Sequence, residues 1–75
     1  MNYIIIESQT NNTTTAVLYT VKSDYFAAEA EYHSKLAYAA ASEVPLHAVT
    51  MLTENGKMVK YECYDHRTPE VNEEA

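Results

Sequence analysis

A single cysteine, Cys63, rules out a disulfide within the chain. A lone thiol fits a reducing compartment, where no such pairing is needed. Only one glycine is present, Gly56, so no glycine-rich loop can cradle a phosphate. Five basic residues, scattered, do not make the patch that a nucleic-acid backbone demands. Tryptophan is absent and phenylalanine occurs once, yet there are seven tyrosines. Hydrophobic runs are short. The longest near the start, "YIII", ends at Glu7 with no positive residue before it, which predicts a strand and neither a secretory leader nor a membrane span. The sequons at Asn11 and Asn12 are then polar loop residues, and a soluble, cytoplasmic protein is expected.

With 75 residues there is room for one domain. A chain this small buries only about 60% of its unfolded surface, so metal, tight packing or a second copy must supplement its core. The net charge is −6, of which the last eleven residues, "DHRTPEVNEEA", carry −3. The expected division is a single domain over residues 1–66 followed by an acidic, flexible tail over 67–75. The mild acidity of the remainder reads as solubility rather than mimicry of nucleic acid.

Local patterns predict five elements. β-branched and aromatic residues from Asn2 to Ser8 predict a strand, "QTNNTTT" a polar loop, and "TAVLYTVK" a second strand closing a hairpin. Ser23 or Asp24 caps a helix that runs without glycine or proline to Ser42 or Glu43, where Pro45 ends it. Phe26, Ala30, His33, Ala37, Ala40 and Val44 recur every three or four residues and predict its buried stripe, with Leu36 and Ala41 beside it. Glu31 and Lys35 form an exposed pair one turn apart. "LHAVTML" and "KMVKYECY" are the third and fourth strands, joined by a two-residue turn at Asn55-Gly56. The fold class is therefore α+β, in the order β-β-α-β-β: a four-stranded, mainly antiparallel sheet with one helix on one face.

One helix covers one face. Strands facing water on the other side should alternate apolar and polar residues, and these do not. Ile4 and Ile6 oppose Tyr3 and Ile5; Val17, Tyr19 and Val21 oppose Ala16 and Leu18; Val49 and Met51 oppose Leu46, Ala48 and Leu52. Apolar neighbours across strands make a patch, and such patches meet partners. Tyrosine suits a surface that is partly wet and partly buried. Tyr3, Ile5, Tyr19, Tyr61 and Tyr64 are the expected partner-binding residues, and a sheet-to-sheet homodimer is the simplest assembly.

Chemistry is sparser. Cys63 and His66 form a C-x-x-H pair, with His33 and His47 upstream, which makes four candidate ligands for a transition metal. Their spacing is poor: His33 falls in mid-helix and only His47, opposite residue 64, approaches the Cys63 strand. The plainer account has His33 as a core residue and Cys63 as a small buried hydrophobe. No nucleophile sits beside a base, so no enzymatic activity and no cofactor is expected.

"NYIIIESQT", "AEAEYHSKLAYAAASEVPLHAV" and "ENGKMVKYECYDH" resemble a set of small proteins from gut-dwelling Firmicutes, their phages and mobile elements, a set without an established activity. Tyr32-His33, "VPLH" (Val44 to His47) and "ECYDH" (Glu62 to His66) carry the resemblance, which fades in the acidic tail. It implies an accessory protein that binds a host factor, such as one used in defence. The β-β-α-β-β order also looks like the small immunoglobulin-binding domains of streptococcal surface proteins, a likeness of architecture that transfers no function. The reading is a small, non-enzymatic, homodimeric interaction protein with a host protein as partner and no direct contact with nucleic acid or membrane. The alternatives are a small-ligand binder with its site between protomers, and a metal binder using His33, His47, Cys63 and His66.

Overall fold

The computed structural model describes residues 1–67. Its elements are β1 (Tyr3–Asn11), β2 (Thr14–Lys22), α1 (Tyr25–Ala41), β3 (Leu46–Thr53) and β4 (Met58–Asp65). The fold is the expected α+β, with all four strands in one open antiparallel sheet of order β2-β1-β3-β4. The hairpins meet through their first strands, so β1 and β3 form the centre and β2 and β4 the edges. The tail expected from residue 67 onward lies, apart from Arg67, outside the described residues. Among these residues no helix is long and apolar enough to cross a membrane.

Both turns differ from the sequence expectation, for local reasons. The polar stretch "QTNNTTT" is mostly strand: Asn11 pairs with Thr14, leaving only Asn12 and Thr13 as the loop. Asn12 takes φ 64°, which asparagine tolerates and a two-residue hairpin turn requires at its first position. Threonine is a good strand former, and this outweighed the polarity of the run. The second turn is longer than two residues. The Gly56 N–H donates to the Thr53 carbonyl at 2.9 Å, the Thr53 N–H donates to the Lys57 carbonyl at 2.8 Å, and Gly56 sits at φ 90°. A three-residue loop ending in a left-handed glycine has this form. A register shift between Met51 and Leu52 follows it.

The helix starts where Asp24 accepts a hydrogen bond from the Ala27 N–H at 2.9 Å. Its buried stripe is not the predicted one. Ala28, Tyr32 and Ala39 are buried, Tyr25 and Leu36 pack beside them, and Phe26 is 73% exposed. Ala30, His33, Ala37 and Ala40 also face outward. Alanines occur on both stripes, so periodicity alone did not choose between them. Side-chain volume and anchoring did. Tyr25 packs edge-on against Tyr3 at 5.5 Å, and Tyr32 fills the space above the sheet. Lys60 of β4 reaches Glu29 at 3.0 Å, and Lys35 reaches both Glu31 and Glu7 at 3.6 Å. These contacts fix the rotation of the helix about its axis.

Ile5, Val49 and Met51 complete the core from the sheet. Opposed across β1 and β3, Ile5–Met51 and Glu7–Val49 define the covered face. Ile4 and Ile6 therefore point to the open one, as alternation requires.

Candidate functional site

The open face can be read row by row from the register. Val21–Ile4–Leu52–Met58 form one row, Tyr19–Ile6–Thr50–Tyr61 the next, Val17–Ser8–Ala48–Cys63 the third, and Thr15–Thr10–Leu46–Asp65 the last. The only ionisable carboxylate or cation among them is Asp65, at a corner. Its Oδ2 lies 2.6 Å from the Arg67 guanidinium, which holds its carboxyl down to about 2. Val17, Tyr19, Val21, Met58 and Tyr61 are each at least 50% exposed. Thr10 and Thr15 share a hydroxyl hydrogen bond at 2.9 Å across β1 and β2.

The covered face is the opposite. It holds Glu7, Lys22, His47, Lys60 and Glu62 along with the apolar core. Charged side chains thus lie beneath and beside the helix, while the face without a helix is nearly uncharged. A surface exposed to water ordinarily shows the reverse distribution.

The predicted partner residues divide between these faces. Tyr19 and Tyr61 lie in one row of the open face, flanking Ile6 and Thr50. Tyr3, Ile5 and Tyr64 are on the covered face, where Ile5 is buried and the two tyrosines pack against the core. The open-face residues Ile4, Ile6, Val17, Val21 and Met58, not singled out as partner residues from sequence, belong with Tyr19 and Tyr61. Strict alternation from Ile5, the more central of the two candidate faces, was the signal that separates the sets.

The four candidate metal ligands are not brought together. His33 is on the outer side of the helix, His47 is buried under it, and Cys63 is on the open face opposite Ala48. The His66 ring nitrogen donates to the Ala39 carbonyl at 3.1 Å, joining the end of β4 to the end of the helix. Among the described residues no group of three or more His, Cys, Asp or Glu is placed to hold a metal ion.

One polar cluster was not read from the sequence. His47 Nε2 lies 2.5 Å from Glu7 Oε2, with the histidine fully buried and the glutamate 4% exposed. Gln9 Nε2 donates to the same carboxylate oxygen at 3.0 Å, and Lys35 Nζ lies 3.6 Å from the other. Burial pushes the Glu7 carboxyl up, but the hydrogen bonds from His47 and Gln9 and the charge of Lys35 outweigh it and hold it below its ordinary value. With Glu7 ionised, Nε2 carries the proton and donates; Nδ1 is buried without a partner. Tyr38 covers the imidazole edge-on at 6.1 Å. The signal was present in the alternation: Glu7 shares its parity with Ile5 and Tyr3, so a strand that buries Ile5 buries Glu7 as well.

This pair has the composition of a base with its orienting carboxylate. The imidazole nitrogen left over from the Glu7 bond is buried, however, with no hydrogen-bond partner among the described residues. The pair ties β1 to β3 beneath the helix. A groove of about 420 Å³ runs alongside, lined by Glu7, Gln9, Leu18, Ser34, Lys35 and Tyr38. Comparisons with protein-family models, curated proteins and solved structures returned no match.

Proposed function

We propose that this chain is a small, non-enzymatic interaction protein whose working surface is the open face of its sheet, and that it acts as a homodimer. One observation carries the reading: the face without a helix has three apolar or aromatic rows and a single charge at its corner. Leaving such a surface in water is unfavourable by about 25 cal/mol per Å² of apolar area. A protein partner removes it from water, and tyrosines at Tyr19 and Tyr61 suit an interface that is wet when free and dry when bound. The resemblance to small proteins of phages and mobile elements supports a host protein, such as a defence factor, as that partner, with the cytoplasm as the setting.

A photo-crosslinking amino acid placed at Tyr61 in the cell tests this, with the same group at Ala37, which faces outward from the helix, as the control. A discrete protein adduct is expected from position 61 and none from 37. Adducts of equal yield from both positions, or from neither, would overturn the reading.

A further inference from the structure

The two edges of the sheet are built differently. β4 carries Lys60, Glu62 and Asp65, and the register breaks where it meets Leu52. Charges and bulges of this kind keep an edge from pairing with another chain. β2 has no bulge, and its one charge is its last residue, Lys22. From Thr14 to Val21 it is "TTAVLYTV", with no charge and no proline, and the whole strand keeps an unbroken register against β1 over nine pairs. Residues 14 to 19 are all exposed, and the helix rests mainly on β3 and β1. A long, uncharged, uncovered edge is a template for strand addition.

The turn settles which backbone groups are available. In a two-residue hairpin the closing pair, here Asn11 and Thr14, exchanges both of its hydrogen bonds. Even-numbered residues of β2 therefore turn their N–H and C=O toward β1. Thr15, Val17, Tyr19 and Val21 turn theirs outward, to water.

We infer that the β2 edges of two copies pair antiparallel about a two-fold axis at Leu18, joining the two sheets into one. The homodimer proposed above is the premise, and the edge contact is what it lacks. Centred on Leu18, the register sets Val17 against the partner's Tyr19 and Thr15 against the partner's Val21, aromatic and β-branched pairs of the kind that stabilise a sheet. Lys22 falls opposite the partner's Thr14, so no like charges meet. A second copy is the occupant that this edge fits, because the strand is its own complement in side-chain pattern, charge and outward backbone groups.

Edge pairing also serves the open face, where stacking two faces would cover it. Four strands spaced about 4.8 Å, each with about eight residues of roughly 3.3 Å, give one face on the order of 500 Å². A standard interface takes about 800 Å² from each partner. Two faces joined at β2 exceed that with a single continuous apolar surface.

Amide hydrogen exchange by NMR at two protein concentrations, alongside sedimentation, tests the inference in the unmodified chain. The amides of Thr15, Val17, Tyr19 and Val21 are expected to exchange at least about tenfold more slowly at the concentration where the dimer forms, while the even-numbered amides are protected at both. Val17→Pro removes one outward donor at a position where an edge strand tolerates proline, and should leave a folded monomer. Tyr61→Lys, on the far side of the open face, should leave the dimer intact. Odd-numbered amides that stay unprotected at high concentration would overturn the inference. So would a Tyr61→Lys monomer, the result expected of stacked faces. Crosslinking from position 61 to a host protein, with the odd amides unprotected, would retain the proposed function and reject the edge.

Discussion

The two faces of this sheet share one backbone and one register, yet the ionisable residues collect on the face that the helix covers. Glu7, His47, Lys60 and Glu62 sit there with Ile5, Val49 and Met51, and the helix supplies Glu29 and Lys35 to meet them. The open face has Ile4, Ile6, Val17, Tyr19, Val21, Leu52 and Tyr61, with no helix or strand opposite among the described residues. The difference shows how a small α+β domain can use ion pairs to dock its one helix while its apolar surplus lies on the other face of the sheet. The first face holds the core against the helix, and the second stands outside it.

That division predicts a graded set of effects. Truncating the covered face should be most damaging: Met51→Ala is expected to cost about 2–5 kcal/mol in chemical denaturation, a large part of the stability of a domain this size. A loss below ~1 kcal/mol would mean that the core is not where the covered face places it. Next comes His47→Ala, which leaves the Glu7 carboxylate buried with only Gln9 and Lys35, at about 3 kcal/mol. In a double-mutant cycle with Glu7→Gln, the two losses should fall well short of adding.

The same pair gives a pH dependence of definite sign. The folded protein holds the Glu7 carboxyl below its ordinary value of 4.5, so the unfolded chain binds more protons in acid. Stability from this group is complete above the ordinary carboxyl value and is lost as pH falls through the folded one. Thermal melts of Glu7→Gln should show a flatter acid limb than the parent chain; parallel limbs would argue against the ion pair. Removing the helix cap, Asp24→Ala, should cost about 1 kcal/mol. Smallest are the open-face changes. Tyr61→Lys and Val21→Thr should alter monomer stability by less than about 0.5 kcal/mol. If either destabilises the monomer by 2 kcal/mol, the open face belongs to the core and the contrast between the faces fails.

Much of the fold could be read from local sequence. Asp24 and Pro45 bound the helix, the β-branched runs mark the strands, and the His47–Tyr64 register expected of a two-residue turn is met because the shift between Met51 and Leu52 offsets the longer loop. The candidate surface was half legible. Alternation separates Ile4 and Ile6 from Tyr3 and Ile5, but period alone does not say which set a helix will cover. The helix stripe was missed for a related reason. Alanine fits either phase, and the choice was made by Tyr32 seeking volume and by Lys35 and Lys60 seeking carboxylates on other elements.

By itself, then, the sequence determined the element order, the antiparallel hairpins and the existence of two apolar sheet faces, because capping, turn chemistry and periodicity act within a few residues. Tertiary structure alone decided that β1 and β3 meet at the centre, that Glu7 and His47, forty positions apart, bond under the helix, and that β2 is left as an unguarded edge. Each of these depends on which strands become neighbours. That is settled by the burial and pairing of residues far apart in the chain, and no local pattern contains it.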